Sequence, residues 1–356
     1  MLTPQSAPTA LRIVAAVCRR LVALFNIRAA SLYTEMHLDQ FTLWYAMRRR
    51  LPRDGAWTVY AQCPRSAVTA MSLRRLPSQS VVMIVHFNRS QGEEMADRGW
   101  IRRGGAIDRA AGRIEKQALF QCDRVVYCSE FMHSVLTSRF SGLAQRPYIV
   151  IPNFVPPPSV TVEGPSGDII TIGTIEPRKN HQAILRIIAE ARKRGRAYSL
   201  TIVGKGELEG EIRTLATDLG IGAQVTFTGY MENGSRLLHK HRVYVHAAKM
   251  ENLPIVLIEA FAAGLPVFAP AVGGIPEILT DGVEGYFWDP NDIETSAARL
   301  ISVLDDEQRR NEMGAAAFAT YNARFRSDRV ARQLYRFVTS GESDCRETFF
   351  SAFSFS

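Results

Sequence analysis

Short apolar runs alternate with helix-length stretches along most of the chain, and no other feature restricts the fold as much. In the first half the runs are Trp57–Ala61, Val81–His86, Arg124–Cys128 and Tyr148–Ile151, each bounded by polar or turn residues. Helical patterns at Gln40–Arg50 and Gly105–Phe120 lie between them. In the second half Ile169–Gly173 leads to a helix from Asn180, Tyr198–Gly204 to one from Glu207, and Gln224–Gly229 to one from Glu232. Val243–His246, Pro266–Ala269 and Gly285–Trp288 follow, the last ahead of a helix from Asp292. Strands that alternate with helices are joined by crossovers, which makes the sheet parallel with helices on both faces. Ligands of such a sheet sit beyond the carboxyl ends of its strands.

A chain of 356 residues is longer than one core usually serves, since cores stop growing at roughly 250–300 residues. The run Pro152-Asn153-Phe154-Val155-Pro156-Pro157-Pro158 marks the division. Consecutive prolines resist helix and sheet interior alike and make a semi-rigid spacer. The sequence therefore predicts an α/β chain of two doubly wound, Rossmann-like domains, the first over residues 1–158 and the second from 159.

The net charge of +8 belongs to one half. Residues 1–165 carry 21 Lys and Arg against 11 Asp and Glu, whereas residues 166–356 carry 22 against 24. A basic half suits an anionic surface such as membrane phospholipid, and equally suits solubility alone. Arg48-Arg49-Arg50 with Arg53, and the pair Arg102-Arg103, are the candidate contacts; such runs are otherwise a solvated face. No motif of aromatics and glycines supports nucleic acid as the partner. No segment reaches the roughly 20 apolar residues of a membrane span. Leu11–Phe25 comes nearest and is broken by Arg19-Arg20; it reads either as a basic amphipathic surface segment or, over Leu11–Val17, as a first core strand. The five cysteines form no CxxC pair, which argues against a disulfide framework or a zinc site and for a reducing, cytoplasmic setting. The tail holds Phe349, Phe350, Phe353 and Phe355 among serines and carries no further signal.

Chemistry concentrates in residues 243–267, VYVHAAKMENLPIVLIEAFAAGLPV. Glu259 is the only charge between Pro254 and Val267. A carboxylate in an apolar helix is costly unless paired or hydrogen-bonded, so it faces either a protein cation or a ligand. Glu251 stands eight positions earlier, just before a helix that Pro254 opens, a position proline favours. Asn252 and Leu253 direct backbone N–H groups from that helix start, where an anion is favoured. Gly173-Thr174-Ile175-Glu176-Pro177-Arg178-Lys179-Asn180 follows a strand and opens a helix; it is either a basic turn or a site for a diphosphate. His86 ends a buried run at the sheet rim, either as a structural residue or as one facing a ligand.

The two glutamates stand within ENLPxxxxEAxAAGxPV, followed by Gly273-Gly274-Ile275-Pro276-Glu277 and an Asp281-Gly282 turn. This signature resembles the donor site of retaining GT-B glycosyltransferases, in particular glycosyltransferase family 4. Cys122–Ser129 is similar to that family's strand-and-serine segment, and Pro152-Asn153-Phe154-Val155 to its linker. Arg324–Val338 resembles the helix that returns from the second domain to brace the first, which gives domains at 1–158 and 159–323 with a closing segment 324–356. The likeness covers roughly residues 80–340. It departs in two places: the glycine-rich loop after the first strand is replaced by Thr34-Glu35-Met36-His37, and Thr174 stands where the family has arginine.

What the resemblance implies is a GT-B enzyme moving a sugar from a GDP- or UDP-linked donor to a hydroxyl. The acceptor is expected to be a lipid-linked saccharide of exopolysaccharide or lipopolysaccharide assembly, at the inner membrane face, with no metal. By resemblance Lys179 and Arg178 hold the phosphates, Glu259 the ribose and Glu251 the transferred sugar. Gly173, Thr174 and the 252–254 backbone (Asn252, Leu253, Pro254) surround the donor, Gly229 and Tyr230 read the base, and His86 completes the sugar pocket. A nucleotide-sugar epimerase of the same fold and a non-catalytic binding module are the alternatives.

Overall fold

The computed structural model describes residues 28–158 and 164–340, with a few positions between 3 and 16. It divides into two compact units, residues 1–151 with 334–356 and residues 152–333. The tail phenylalanines and most of segment 11–25 lie outside the described residues; of Leu11–Val17 the four described positions are helical rather than extended.

The first unit opens with α1 (Arg28–Arg50), continues through β1 (Trp57–Ala61), α2 (Pro64–Met71), β2 (Gln79–Val85), α3 (Gln91–Asp97), α4 (Ala106–Gln121), β3 (Arg124–Tyr127) and α5 (Glu130–Arg139), and ends on β4 (Tyr148–Val150). All pairings are parallel, in the order β1-β2-β3-β4. β2 is buried along almost its whole length because helices cover it on both sides; Val81, Val82, Met83 and Val85 have no exposed surface. Helix α1 is twice as long as the pattern at Gln40–Arg50 predicts. No Gly or Pro interrupts residues 28–50, so nothing stops the helix, and Thr34–His37 lies within it rather than in a phosphate loop. Ser129 caps α5 by accepting from the Met132 N–H at 3.0 Å, which sets the turn after β3.

The second unit runs β5 (Ile169–Ile172), α6 (His181–Lys193), β6 (Leu200–Val203), α7 (Glu209–Asp218), β7 (Val225–Gly229), β8 (Val243–Val245), α8 (Ile255–Ala262), β9 (Val267–Ala269), β10 (Gly285–Phe287), α9 (Ile293–Leu304) and α10 (Glu307–Arg324). Its six parallel strands are ordered β10-β9-β8-β5-β6-β7. Strand order therefore reverses between β5 and β8. Crossovers leave these neighbours toward opposite sides, which opens a crevice beyond their carboxyl ends. The core beneath is built from Ile169, Leu200, Ile202, Val243 and Val245 on the strands and Ile184, Ile187, Ile188 and Leu300 on the helices. Each such side chain contributes about 1.5–3 kcal/mol of burial.

Two predicted elements differ. The helix expected from Glu232 is a 3-10 segment, Gly234–Lys240. Seven residues opened by Asn233-Gly234 are held by i→i+3 bonds such as Arg236 N–H to Asn233 O at 3.0 Å, and short runs of that kind stay 3-10. Pro254 is the residue before α8 rather than its first residue, with extended dihedrals (φ −70°, ψ 118°). The closing helix, α11 (Ser327–Ser340), starts in the second unit, and from Leu334 the chain counts with the first. There the Phe337 carbonyl accepts from Arg124 at 2.7 Å.

Candidate functional site

At the reversal point β5 delivers Gly173 and the turn to Lys179, while β8 delivers His246 and the loop to Glu251. The turn Pro177–Lys179 is a single 3-10 segment, and Asn180 behind it takes a left-handed conformation (φ 52°, ψ 43°). The backbone thus doubles back, and Lys179 and Arg178 meet Glu251. Lys179 Nζ lies 2.5 Å from Glu251 Oε1 and Arg178 Nη1 lies 3.2 Å from it. Arg178 is held in turn by Glu176 Oε1 at 2.9 Å and by Met250 O at 3.2 Å.

A third donor reaches the same oxygen. His246 Nε2 is 3.1 Å from Glu251 Oε1, its Nδ1 is 3.2 Å from the Tyr244 hydroxyl, and its carbonyl accepts from Trp288 Nε1 at 2.6 Å. Burial alone pushes the Glu251 carboxyl up; the His246 hydrogen bond and the charges of Lys179 and Arg178 outweigh it and hold the group down to about 2. Burial lowers the His246 pKa, so its ring is neutral. Glycine fixes the loop from the far side. A Cβ on Gly273 (φ +59°) would stand 1.7 Å from the Glu251 carbonyl oxygen, so only glycine lets the Gly273-Gly274 turn approach.

Glu259 sits on α8, half-buried. Among the described residues no cation pairs with it; burial raises its pKa, and the Ser235 hydroxyl offsets only part of that. Asn252 and Leu253 are buried at 4% exposure each, and the Leu253 carbonyl accepts from Asn153 at 2.6 Å. Pro254 is buried beside them. Gly173 follows β5 directly with the Lys179 side chain packed over it, and Thr174 is exposed. Gly229 ends β7 with φ +72°, and the Tyr230 ring is 72% exposed. His86 belongs to the first unit, at the end of β2, where Nε2 meets Gln62 Oε1 at 3.0 Å and Nδ1 meets Cys128 Sγ at 3.4 Å. Burial pushes the Cys128 thiol up to about 12, which keeps it protonated and no nucleophile.

The structure thus joins Lys179, Arg178 and Glu251 in one cluster and adds His246, Tyr244 and Trp288, which the motif reading passed over. The signal was present: Tyr244 and His246 stand two apart on a strand and so share a face. A separate cavity of 680 Å³ opens at the ends of β8, β9 and β10, lined among others by Asn180, Lys249, Val272, Trp288 and Thr295. It includes none of Lys179, Glu251 and Glu259.

Two parallel α/β units, the second with a cation–carboxylate cluster at its reversal point, make up the GT-B fold. Anabaena HepE in complex with UDP and glucose superposes with a TM-score of 0.69 at 18% identity, over 84% of this chain and 81% of that one; the likeness is one of fold. Residues 159–320 match the family described as Glycosyl transferases group 1. Among relatives, the GDP-mannose-dependent alpha-(1-6)-phosphatidylinositol monomannoside mannosyltransferase of Mycolicibacterium smegmatis is 28% identical over 340 residues, 88% of this chain and 84% of the relative. The Mycobacterium tuberculosis protein of that name is 28% identical over 241 residues, and the aligned stretch spans 63% of its length.

Proposed function

We propose that the protein transfers a sugar, with retention of anomeric configuration, from a nucleoside-diphosphate donor to a hydroxyl of a lipid-linked saccharide in exopolysaccharide or lipopolysaccharide assembly. The observation that carries this is the convergence of Lys179 and Arg178 on Glu251 beyond the ends of β5 and β8. Two cations and the start of α8 offer a diphosphate its counter-charge, and a carboxylate beside them accepts sugar hydroxyls. The anomeric C–O bond to the phosphate breaks as the bond to the acceptor oxygen forms, and the acceptor proton passes to the leaving phosphate oxygen. Preorganised charge at the departing oxygen is the dominant catalytic effect in such a step, and the reading assigns no role to a metal. His86 is assigned to the sugar, Gly229 and Tyr230 to the base, and Gly173, Thr174 and the Asn252–Pro254 backbone to the phosphates and sugar.

The test is release of free GDP or UDP from GDP-mannose or UDP-glucose that requires an added acceptor such as phosphatidylinositol monomannoside. Conversion of the donor without acceptor would favour an epimerase; no turnover of either donor would refute transfer from both.

A lipid-linked acceptor calls for a membrane surface, and α1 offers one. Arg48, Arg49 and Arg50 are exposed in its last turn, Arg48 lies over Trp44 at 5.2 Å, and Phe41 stacks on Trp44 at 6.1 Å with half its surface exposed. Among the described residues no helix is long and apolar enough to cross a membrane. Binding to anionic vesicles is expected to weaken as salt rises, because the Debye length falls to about 8 Å at physiological ionic strength. Salt-insensitive binding, or none, would point to a soluble acceptor.

Glu259 is assigned to the ribose. Glu259→Gln should weaken donor binding by roughly 1.5–3 kcal/mol, the worth of hydrogen bonds to a charged group. Because the folded carboxyl has a raised pKa, its ionisation opposes folding as pH climbs above the ordinary carboxylate range. The variant should therefore match or exceed the wild type in stability at neutral pH, with any gain fading below pH of about 4.5. A variant that loses about 3–5 kcal/mol while binding donor normally would make Glu259 a structural ion instead.

A further inference from the structure

Three donors crowd one oxygen of Glu251 and none meets the other. Lys179, His246 and Arg178 all lie on Oε1, and Oε2 has no partner among the described residues. The donors are not equivalent. Lys179 and Arg178 carry charge on partly exposed side chains, 15% and 23%, so an incoming diphosphate competes with Glu251 for both. His246 is 3% exposed and has no second task. Glu251 Oε1 can only accept, so the neutral ring carries its proton on Nε2 and directs it at that oxygen, while Nδ1 faces the Tyr244 hydroxyl at 3.2 Å. Trp288 fixes the backbone of the same residue. Burial keeps the ring neutral, and the neighbouring His181, itself pushed down to about 4, adds no charge.

We infer that His246 is a positioning residue for the transfer step: it keeps Glu251 Oε1 anchored when Lys179 and Arg178 turn to the diphosphate, so that Oε2 stays presented to a hydroxyl of the donor sugar. The inference rests on the donor-site role given to Glu251 above. His246 touches neither nucleotide nor reacting atoms, so its effect reaches the reaction only through the carboxylate. A leucine there removes the donor, whereas a glutamine amide restores one.

His246→Leu and His246→Gln are compared in the full chain, with whichever of GDP-mannose and UDP-glucose the wild type turns over. The leucine variant is expected to lose roughly 10- to 100-fold in kcat, the factor carried by one charge-assisted hydrogen bond. Its dissociation constant for GDP or UDP should stay within about twofold of wild type, and glutamine should recover most of the rate. A wild-type kcat in the leucine variant overturns the inference, as does a parallel loss of rate and nucleotide affinity. Nitrogen-15 NMR of the histidine rings supplies a readout independent of turnover: His246 should be the neutral Nε2–H tautomer before and after GDP or UDP is added. An Nδ1–H tautomer or an imidazolium overturns the inference directly. A wild type that turns over neither donor yet keeps the Nε2–H tautomer refutes transfer from both donors, and the inferred role with it, while the hydrogen bond stands.

Discussion

Lys179→Ala is expected to lower kcat by about 10²–10³-fold, the range observed when one preorganised donor to a departing oxyanion is removed. The structure adds a reason to expect the fold to survive. Glu251 loses its shortest contact, at 2.5 Å, but keeps Arg178 and His246 on the same oxygen, so no buried carboxylate is orphaned. Stability should change little for that reason, and affinity for GDP or UDP should fall together with the rate. Steady-state kinetics and a thermal melt on the same preparation check both halves. A near-normal kcat would remove Lys179 from the site.

Removing the carboxylate is expected to act differently. Glu251→Gln leaves Lys179 and Arg178 charged beside one another with only Glu176 to balance them, and breaking a buried pair in this way costs about 3–5 kcal/mol. The wild type should show the same stabilisation as acid sensitivity. The Glu251 carboxyl titrates at about 2 in the folded chain against an ordinary 4.5, so its contribution is complete above pH 4.5 and disappears as pH falls toward 2. At 1.36 kcal/mol per unit that is about 3 kcal/mol. Denaturant unfolding between pH 6 and pH 2.5 should slope steeply for the wild type and more shallowly for Glu251→Gln. Equal slopes would mean that the cluster does not hold the carboxylate ionised.

The strand framework was legible because most of the parallel strands are short, largely apolar runs bounded by polar or turn residues. Trp57–Ala61 forms as predicted, and Ile169–Gly173 and Val243–His246 shorten by only one residue each. Helix ends were less legible, since nothing in the composition before Gln40 distinguishes a loop from the first turns of α1. The motif residues around Glu251 could be singled out by their setting, but their mutual contact could not. Lys179 and Glu251 stand 72 positions apart, and only the sheet order β8-β5, which no local pattern encodes, makes them neighbours. His246 was missed for a different reason. A histidine that ends a buried strand reads as core until its partner five residues later is seen to fold back over it.

Helix α11 bears on how the chain is made. The first unit takes its last pieces from beyond Leu334, including Phe337, which is 1% exposed and receives Arg124 on its carbonyl. A fragment ending at Ile151 therefore lacks part of its own interior, with an apolar gap where Phe337 packs. On the ribosome the first unit is begun early and finished only after the whole second unit has been synthesised, and until then the surface awaiting α11 is the stretch of nascent chain that invites chaperones or aggregation.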